Sequence, residues 1–326
     1  MSRSLWTNME IEGATNAHTD GRKWSASGVS IDSRKVQPKD IFIAFRGTRV
    51  DGHCYVADAF EKGAAAAIVE RKIDGLSEES PILIVANVQK ALVQIACLAR
   101  NRSEAEFVAV TGSVGKTSSK NLLAKALAQF DSVHATIGNL NNHIGAPLSL
   151  ARLNGSSRFA VFELGMNSTG EIAFLSNLIR PKVALITNVH GVHLEQLKTE
   201  RAIAEAKAEV FNGLLENGSV VLNQDNPWID FLKSRAEKRG IKNIITFGED
   251  KKSDVKLLEC HSGDGKSIVK IQLNNETHQY VLSETGKHRA LNSVGVLAVV
   301  YALGLDIQHA AKCFKSISTP VGRGGQ

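Results

Sequence analysis

The sequence predicts an α/β protein of two domains, the second a mostly parallel sheet built around a phosphate-binding loop. Three observations predict it. Residues 107–119, FVAVTGSVGKTSS, read as a short buried strand, a glycine-rich turn and the start of a helix with Leu122, Leu123, Ala126 and Leu127 on one face. Downstream, apolar runs of strand length alternate with helical runs, the pattern of a sheet covered on both faces. Upstream, residues 1–104 carry their own alternation and close on the polar junction Asn101-Arg102-Ser103-Glu104. A chain of 326 residues is ample for two cores.

In the first domain, residues 29–35 read as a strand running into a polar turn, and residues 40–45 as a second strand followed by the loop RGTRVDGH. Residues 55–62 suit a helix ended by Gly63, residues 65–70 and 82–85 suit strands, and residues 89–100 an amphipathic helix. Ser33, Arg34, Arg46, Arg49, Asp51 and His53 gather in two loops, either as ligand-facing groups or as solvated loop polars.

In the second domain the loop comes first. Its glycines let backbone N–H groups point into a concavity, and the helix N-terminus adds partial positive charge. Gly112, Ser113, Val114, Gly115 and Ser118 would form the cradle, Lys116 would reach the β- and γ-phosphates, and the Thr117 hydroxyl would ligate Mg²⁺. The loop is shorter than G-x-x-x-x-G-K-T, since Val110 stands five before Gly115. Residues 158–163 form a strand ending in Glu163, which beside a phosphate loop suits metal binding. Residues 181–188 form another strand, with His190 and His193 after it; His193 reads as a structural hydrogen-bonder or a ligand. Residues 201–215 suit a helix carrying Glu205, Lys207 and Glu209, followed by strands at 219–223 and 243–247. Residues 256–282 suit a small antiparallel section, and residues 287–303 and 307–316 suit helices. Ligands of doubly wound sheets lie beyond the carboxyl ends of the strands, so residues 112–117, Glu163 and residues 188–193 are expected to converge. Residues 136–147, TIGNLNNHIGAP, hold three asparagines and two glycines, a composition foreign to helix or strand interiors; they read as a loop lining a polar site or as an elaborate turn.

Composition narrows the partners. With 43% hydrophobic and 22% charged residues the chain is ordinary for a globular protein. The net charge of +6 is spread along the chain without a basic block or aromatic-interleaved stripe, so small anions rather than nucleic acid are expected. Cys54, Cys97, Cys260 and Cys313 lack metal-ligand spacing and are expected to be reduced, mostly buried thiols. The start, MSRSLWTNMEIEG, lacks an apolar signal core, and no run approaches membrane-spanning length, so a cytoplasmic monomer without membrane insertion is expected.

Together these pieces resemble the Mur ligase family. TGSVGKT is similar to its TGxxGKT, TIGNLNNHIGAPLSL to T-x-GNxNNxxGxPLxLL, and FELGMNSTGEI to E-x-G-x-N-x-x-GEI. ITNVHGVHLEQL and EAKAEVF resemble N-x-x-x-x-HLE and A-K-x-E-I-F, and residues 32–70 resemble the family's UDP-sugar domain. The resemblance spans essentially the whole chain and is greatest to the members that add D-alanyl-D-alanine to UDP-N-acetylmuramoyl-tripeptide.

It implies a UDP-precursor domain (1–104), a central P-loop ATP-binding domain (105–318), and residues 319–326 as a hinge toward a third, Rossmann-like domain absent from the sequence. It implies ATP and Mg²⁺ as cofactors in peptidoglycan precursor synthesis. Lys116 and Thr117 would hold phosphates and Mg²⁺, Glu163 and His193 would ligate Mg²⁺, and Lys207 matches a lysine that becomes carbamylated. By the same resemblance Asn292 would meet adenine, and Arg323 would approach the γ-phosphate from the hinge. Ser33 and Arg34 would bind the UDP portion, and Thr136, Asn139, Asn141 and Asn142 would face the muramoyl peptide. The chain departs from the pattern at Arg289, where G-x-HNxxNAxAA has asparagine, and at QLKTE after HLE. Other readings are a precursor- and ATP-binding module that does not ligate, another member of the family, or a P-loop small-molecule kinase. The last leaves the first domain and the asparagine block unexplained.

Overall fold

Short apolar runs pair side by side in the first unit of the computed structural model, which describes residues 4–19, 21–48, 50–191 and 199–316. Its elements are β1 (Trp6–Thr7), α1 (Asn8–Thr15), β2 (Ser25–Ala26), β3 (Gly28–Ser30), β4 (Asp40–Ile43), α2 (Val56–Glu61), β5 (Ala66–Val69), β6 (Ile82–Ile84) and α3 (Val88–Arg102). Strands β3, β4, β5 and β6 lie in that order and all run parallel. Every residue of β4 and β5 is buried, which is why both read as unbroken apolar runs rather than alternating ones.

The second unit begins with β7 (Glu106–Thr111) and α4 (Lys116–Leu127), then β8 (Val133–Ala135). The chain then returns to the first unit for α5 (Gly145–Ala151) before the second unit resumes with β9 (Phe159–Glu163), α6 (Glu171–Ile179), β10 (Val183–Ile186) and α7 (Glu200–Ala208). The chain then forms β11 (Ser219–Asn223), α8 (Ile229–Lys238), β12 (Asn243–Gly248), β13 (Val255–Gly263), β14 (Lys266–Leu273), β15 (Glu276–Leu282), α9 (Lys287–Ala302) and α10 (Ile307–Ala311). The sheet order is β15-β14-β13-β12-β11-β10-β7-β9-β8, parallel from β8 through β13 and antiparallel beyond. Successive strands progress to one side of β7 and then cross to the other. The loop after β7 therefore opens where the strand order reverses, the place a doubly wound sheet offers a ligand.

Both faces of this sheet are covered. Val108, Val110, Phe159, Val161, Val183 and Leu185 share one core with Leu123 and Leu127 of α4 and with Val294, Leu297 and Ala298 of α9. The alternate residues Phe107 and Phe162 stack on each other, with ring centroids 5.9 Å apart.

Several expectations need correction. The boundary after Glu104 is not the only crossing: residues Ile144–Ser156, expected in the second domain, belong to the first unit. The reason lies in specific bonds. The buried Trp6 indole donates to the carbonyl of Ala151 at 2.8 Å, Arg152 donates to Val29 at 2.6 Å, and α5 packs on α3. Arg102 of α3 lies 3.7 Å above the Trp6 ring and 3.0 Å from Glu10, holding that corner together. Gly145 and Pro147, expected in a loop, open α5, where proline is tolerated because a first-turn N–H has no acceptor to lose.

The helix expected over 201–215 stops at Ala208 and tightens into a 3₁₀ turn, Glu209–Gly213. Cys54 and Cys97 are exposed rather than buried. Cys97 faces away from the stripe Ala91, Leu92, Ile95, Ala96 and Ala99 that α3 buries. Among the described residues no helix is long and apolar enough to cross a membrane.

Candidate phosphate and metal site

The loop after β7 is held open by the end of β10. Ser113 N–H donates to the Asn188 carbonyl at 3.0 Å, Val114 N–H donates to Asn188 Oδ1 at 2.9 Å, and the Thr187 hydroxyl donates to the Val114 carbonyl at 2.6 Å. The Ser113 hydroxyl donates to the His190 carbonyl and accepts from the His190 N–H, at 2.9 and 3.0 Å. Its side chain thus braces the loop, and Val114 points outward.

Two glycines are required here. A Cβ on Gly112 (φ +148°) would stand 2.0 Å from Thr187 Oγ1, and one on Gly115 (φ +84°) would stand 2.9 Å from the Asn292 amide. Asn292 on α9 therefore lies against the loop. Gly115 caps α4, and the first amide to bond back into the helix is that of Ser119, to the Gly115 carbonyl at 2.8 Å. The amides of 116–118 thus have no partner in the helix itself and suit an anion.

Lys116 folds over this mouth, donating to the Gly112 and Ser113 carbonyls at 2.8 and 3.1 Å. Burial pushes its ammonium pKa down, with Glu163 opposing the shift. Lys207 on α7 is buried, and burial together with the nearby Lys116 charge pushes its pKa down to about 7. Glu163, at the end of β9, is 2% exposed. Its Oε1 accepts from Asn141 Nδ2 at 2.8 Å, while its buried Oε2 has no partner among the described residues. A buried carboxylate oxygen without a donor among the described residues, beside a phosphate loop, fits a divalent cation. Thr117 is half-buried in the first turn of α4.

The asparagine block divides. Thr136 is buried, donates to the Val161 carbonyl at 3.2 Å and accepts from the Glu163 N–H at 2.9 Å. Asn141 binds Glu163, so these two brace the acid; Asn139 and Asn142 are exposed. In the first unit, Arg34 forks onto Asp32 with two contacts of 2.9 Å, and this pairing holds the Asp32 carboxyl down to about 2. The adjacent Ser33 carbonyl accepts from Lys62 at 2.8 Å. His53, buried, is a brace rather than a solvated polar group: Nδ1 contacts Asp51 at 2.6 Å and Nε2 accepts from the Glu70 N–H at 2.9 Å. Arg49, His193 and Arg323 lie outside the described residues, and no cluster of three or more His, Cys, Asp or Glu suited to a metal occurs among those described.

Sequence reasoning missed Lys120, which is 2% exposed and donates to the Thr136 carbonyl. Burial pushes its pKa down while Glu163 opposes the shift. Its place four residues after Lys116, on the same side of α4, was the available signal. Glu209 lies close in sequence to Lys207 but serves elsewhere, accepting from Gly170 and Ala173 at the start of α6.

Comparisons with known proteins agree along the chain. Residues 25–100 match the Mur ligase family catalytic domain, and residues 110–300 match the Mur ligase middle domain. A UDP-N-acetylmuramoyl-tripeptide--D-alanyl-D-alanine ligase of Rickettsia prowazekii is 37% identical over 91% of this chain, which spans 66% of that protein's length. The ligase of the same name from Treponema pallidum is 30% identical over 96% of this chain, covering 68% of its own length. A crystal structure of MurF from Acinetobacter baumannii superposes with a TM-score of 0.87 at 29% identity, over 98% of this chain and 69% of that one. MurF ligase from Thermotoga maritima, solved in complex with ADP, superposes with a TM-score of 0.77 at 30% identity, over 91% of this chain and 67% of that one.

Proposed function

The chain belongs to the Mur ligase family, and from that membership we propose that it binds Mg²⁺-ATP at residues 112–118 and acts in joining D-alanyl-D-alanine to UDP-N-acetylmuramoyl-tripeptide. The observation that carries the reading is the meeting of the phosphate loop with Glu163, whose buried Oε2 lacks a partner among the described residues. The similarity to ligases of that name over nine-tenths of the chain supports the choice of substrate.

In this reaction the tripeptide carboxylate attacks the γ-phosphorus of ATP, the bond to the β-phosphate oxygen breaks, and an acyl phosphate and ADP result. The dipeptide amine then attacks the acyl carbon, loses a proton and expels phosphate. Catalysis here is positioning and charge neutralisation rather than covalent chemistry by the protein. Lys116 would leave the Gly112 and Ser113 carbonyls for the outer phosphates, and the free amides of 116–118 would hold the inner ones. Thr117, Glu163 and Lys207, with His193, would hold Mg²⁺, which supplies electrostatic screening between the carboxylate and the triphosphate when bound. Lys207 fits this role as a carbamate: its neutral amine adds to CO₂ and releases one proton, replacing an ammonium crowded by Lys116 with an anion. Asn139 and Asn142 would meet the muramoyl peptide, with Ser33 and Arg34 at the uridine diphosphate.

Calorimetric titrations test this. Glu163→Gln keeps the Asn141 bond but removes the charge, so Mg²⁺-ATP binding should weaken about tenfold or more while metal-free ADP binding changes little. Equal loss in both titrations counts against Glu163 as a metal ligand. UDP-N-acetylmuramoyl-tripeptide should bind, and the Asn139→Ala, Asn142→Ala double substitution should weaken it by roughly tenfold or more. Stronger binding of a shorter muramoyl precursor would reassign the chain within the family.

A further inference from the structure

One departure from the family pattern is unused by this chemistry. Arg289 stands in GKHRALNSVGVLA where the pattern has asparagine. It lies three residues before Asn292 on α9, so the two share a helix face. Both meet the start of α4: Asn292 lies against Gly115, and Arg289 Nη1 donates to the Ser118 hydroxyl at 2.9 Å. The Arg289 side chain is 21% exposed and forms an ion pair with Glu284 at 3.7 Å, too long for a hydrogen bond.

A guanidinium carries five N–H donors in a planar fork suited to phosphate, and the bond to Ser118 uses one of them. Ser118 is the last residue whose amide precedes the first intrahelical bond, two positions past Lys116. Its hydroxyl therefore holds a cation at the inner end of the cradle, while the Lys116 ammonium covers Gly112 and Ser113 at the other. In loops of this kind the amides serve the α- and β-phosphates and the lysine the β- and γ-phosphates.

We propose that Arg289 is a specificity-determining residue that binds the phosphate nearest the nucleoside, with Ser118 as its anchor. The assignment rests on the nucleotide reading of residues 112–118. It gives this chain a second fixed cation on the nucleotide and makes a nucleoside monophosphate a better ligand than its nucleoside. The loose contact with Glu284 holds the guanidinium in place without satisfying it.

The test is calorimetric titration of adenosine, AMP and ADP, without metal, into the full chain and into Arg289→Asn and Arg289→Lys. Arg289→Asn carries the residue of the family pattern, and thermal melting without ligand confirms that each variant folds. Arg289→Asn should weaken AMP and ADP about tenfold each and leave adenosine unchanged, the size of one charge-assisted contact. Arg289→Lys should recover part of the AMP affinity, because it keeps the charge and loses the fork. An equal loss for all three ligands would show that Arg289 only clamps α9 to α4, and the assignment falls. Unchanged AMP and ADP affinities overturn it as well. If the unsubstituted chain binds no ADP, the nucleotide site itself is wrong and the assignment goes with it.

Discussion

Lys116→Met is expected to abolish useful Mg²⁺-ATP binding, weakening it by roughly a hundredfold, or about 3 kcal/mol, while leaving the ligand-free protein as stable as before. The two effects have different origins. With nucleotide bound, the ammonium would make charge-assisted contacts to phosphate that a thioether cannot replace. Without it, Lys116 donates, among the described residues, to the Gly112 and Ser113 carbonyls; its charge is desolvated, attracted by Glu163 and set against that of Lys207. Losing those two hydrogen bonds and the attraction to Glu163 is offset by removing a desolvated ammonium and its repulsion of Lys207. Thermal melting without ligand should therefore move by no more than roughly 3 °C. A large drop in the ligand-free melting temperature would mean that Lys116 is chiefly a structural brace.

Gly213→Ala should be the most damaging single methyl group in the second unit. Gly213 ends the 3₁₀ turn that follows α7, and a Cβ there would lie 2.0 Å from the Ser176 carbonyl oxygen and 2.1 Å from its carbon. These are backbone atoms of α6, so no side-chain rotation relieves the clash. Ser176 is fully buried, and its hydroxyl donates to the Val210 carbonyl at 2.6 Å and accepts from the Gly213 N–H at 3.2 Å. Prising α6 from the turn would also loosen the Glu209 bonds to Gly170 and Ala173. We expect a loss of at least about 3 kcal/mol, seen as a fall in melting temperature of roughly 6–12 °C. Because α7 runs directly into this turn, Lys207 would shift as well, and Mg²⁺-ATP affinity should fall in parallel. A melting temperature within roughly 2 °C of the unsubstituted chain would contradict the packing.

The sequence by itself determined the second unit's parallel-sheet architecture and the position of its glycine-rich loop. The strand–glycine loop–helix order of residues 107–119 and the largely apolar strands such as Phe159–Glu163 and Val183–Ile186 after it have few solutions other than a covered parallel sheet, because each run must bury both faces. The place of Lys116 and Thr117 at the start of α4 was legible for the same local reason: it depends on backbone within a few residues. The first unit's strands were legible too.

What only the tertiary structure decided depends on partners far apart in sequence. Nothing local says that residues 144–156 leave the second unit, because the bonds that draw them away come from Trp6 and Val29. Asparagine composition could not say that Asn141 turns to Glu163 while Asn139 and Asn142 stay exposed. A side chain with both a donor and an acceptor serves a ligand or a neighbour equally well, and strand packing chooses between them. Lys120 and Lys207 look like ordinary solvated helix lysines until tertiary packing buries them. Burial then turns charge into the controlling property of the site, and burial is not a local quantity.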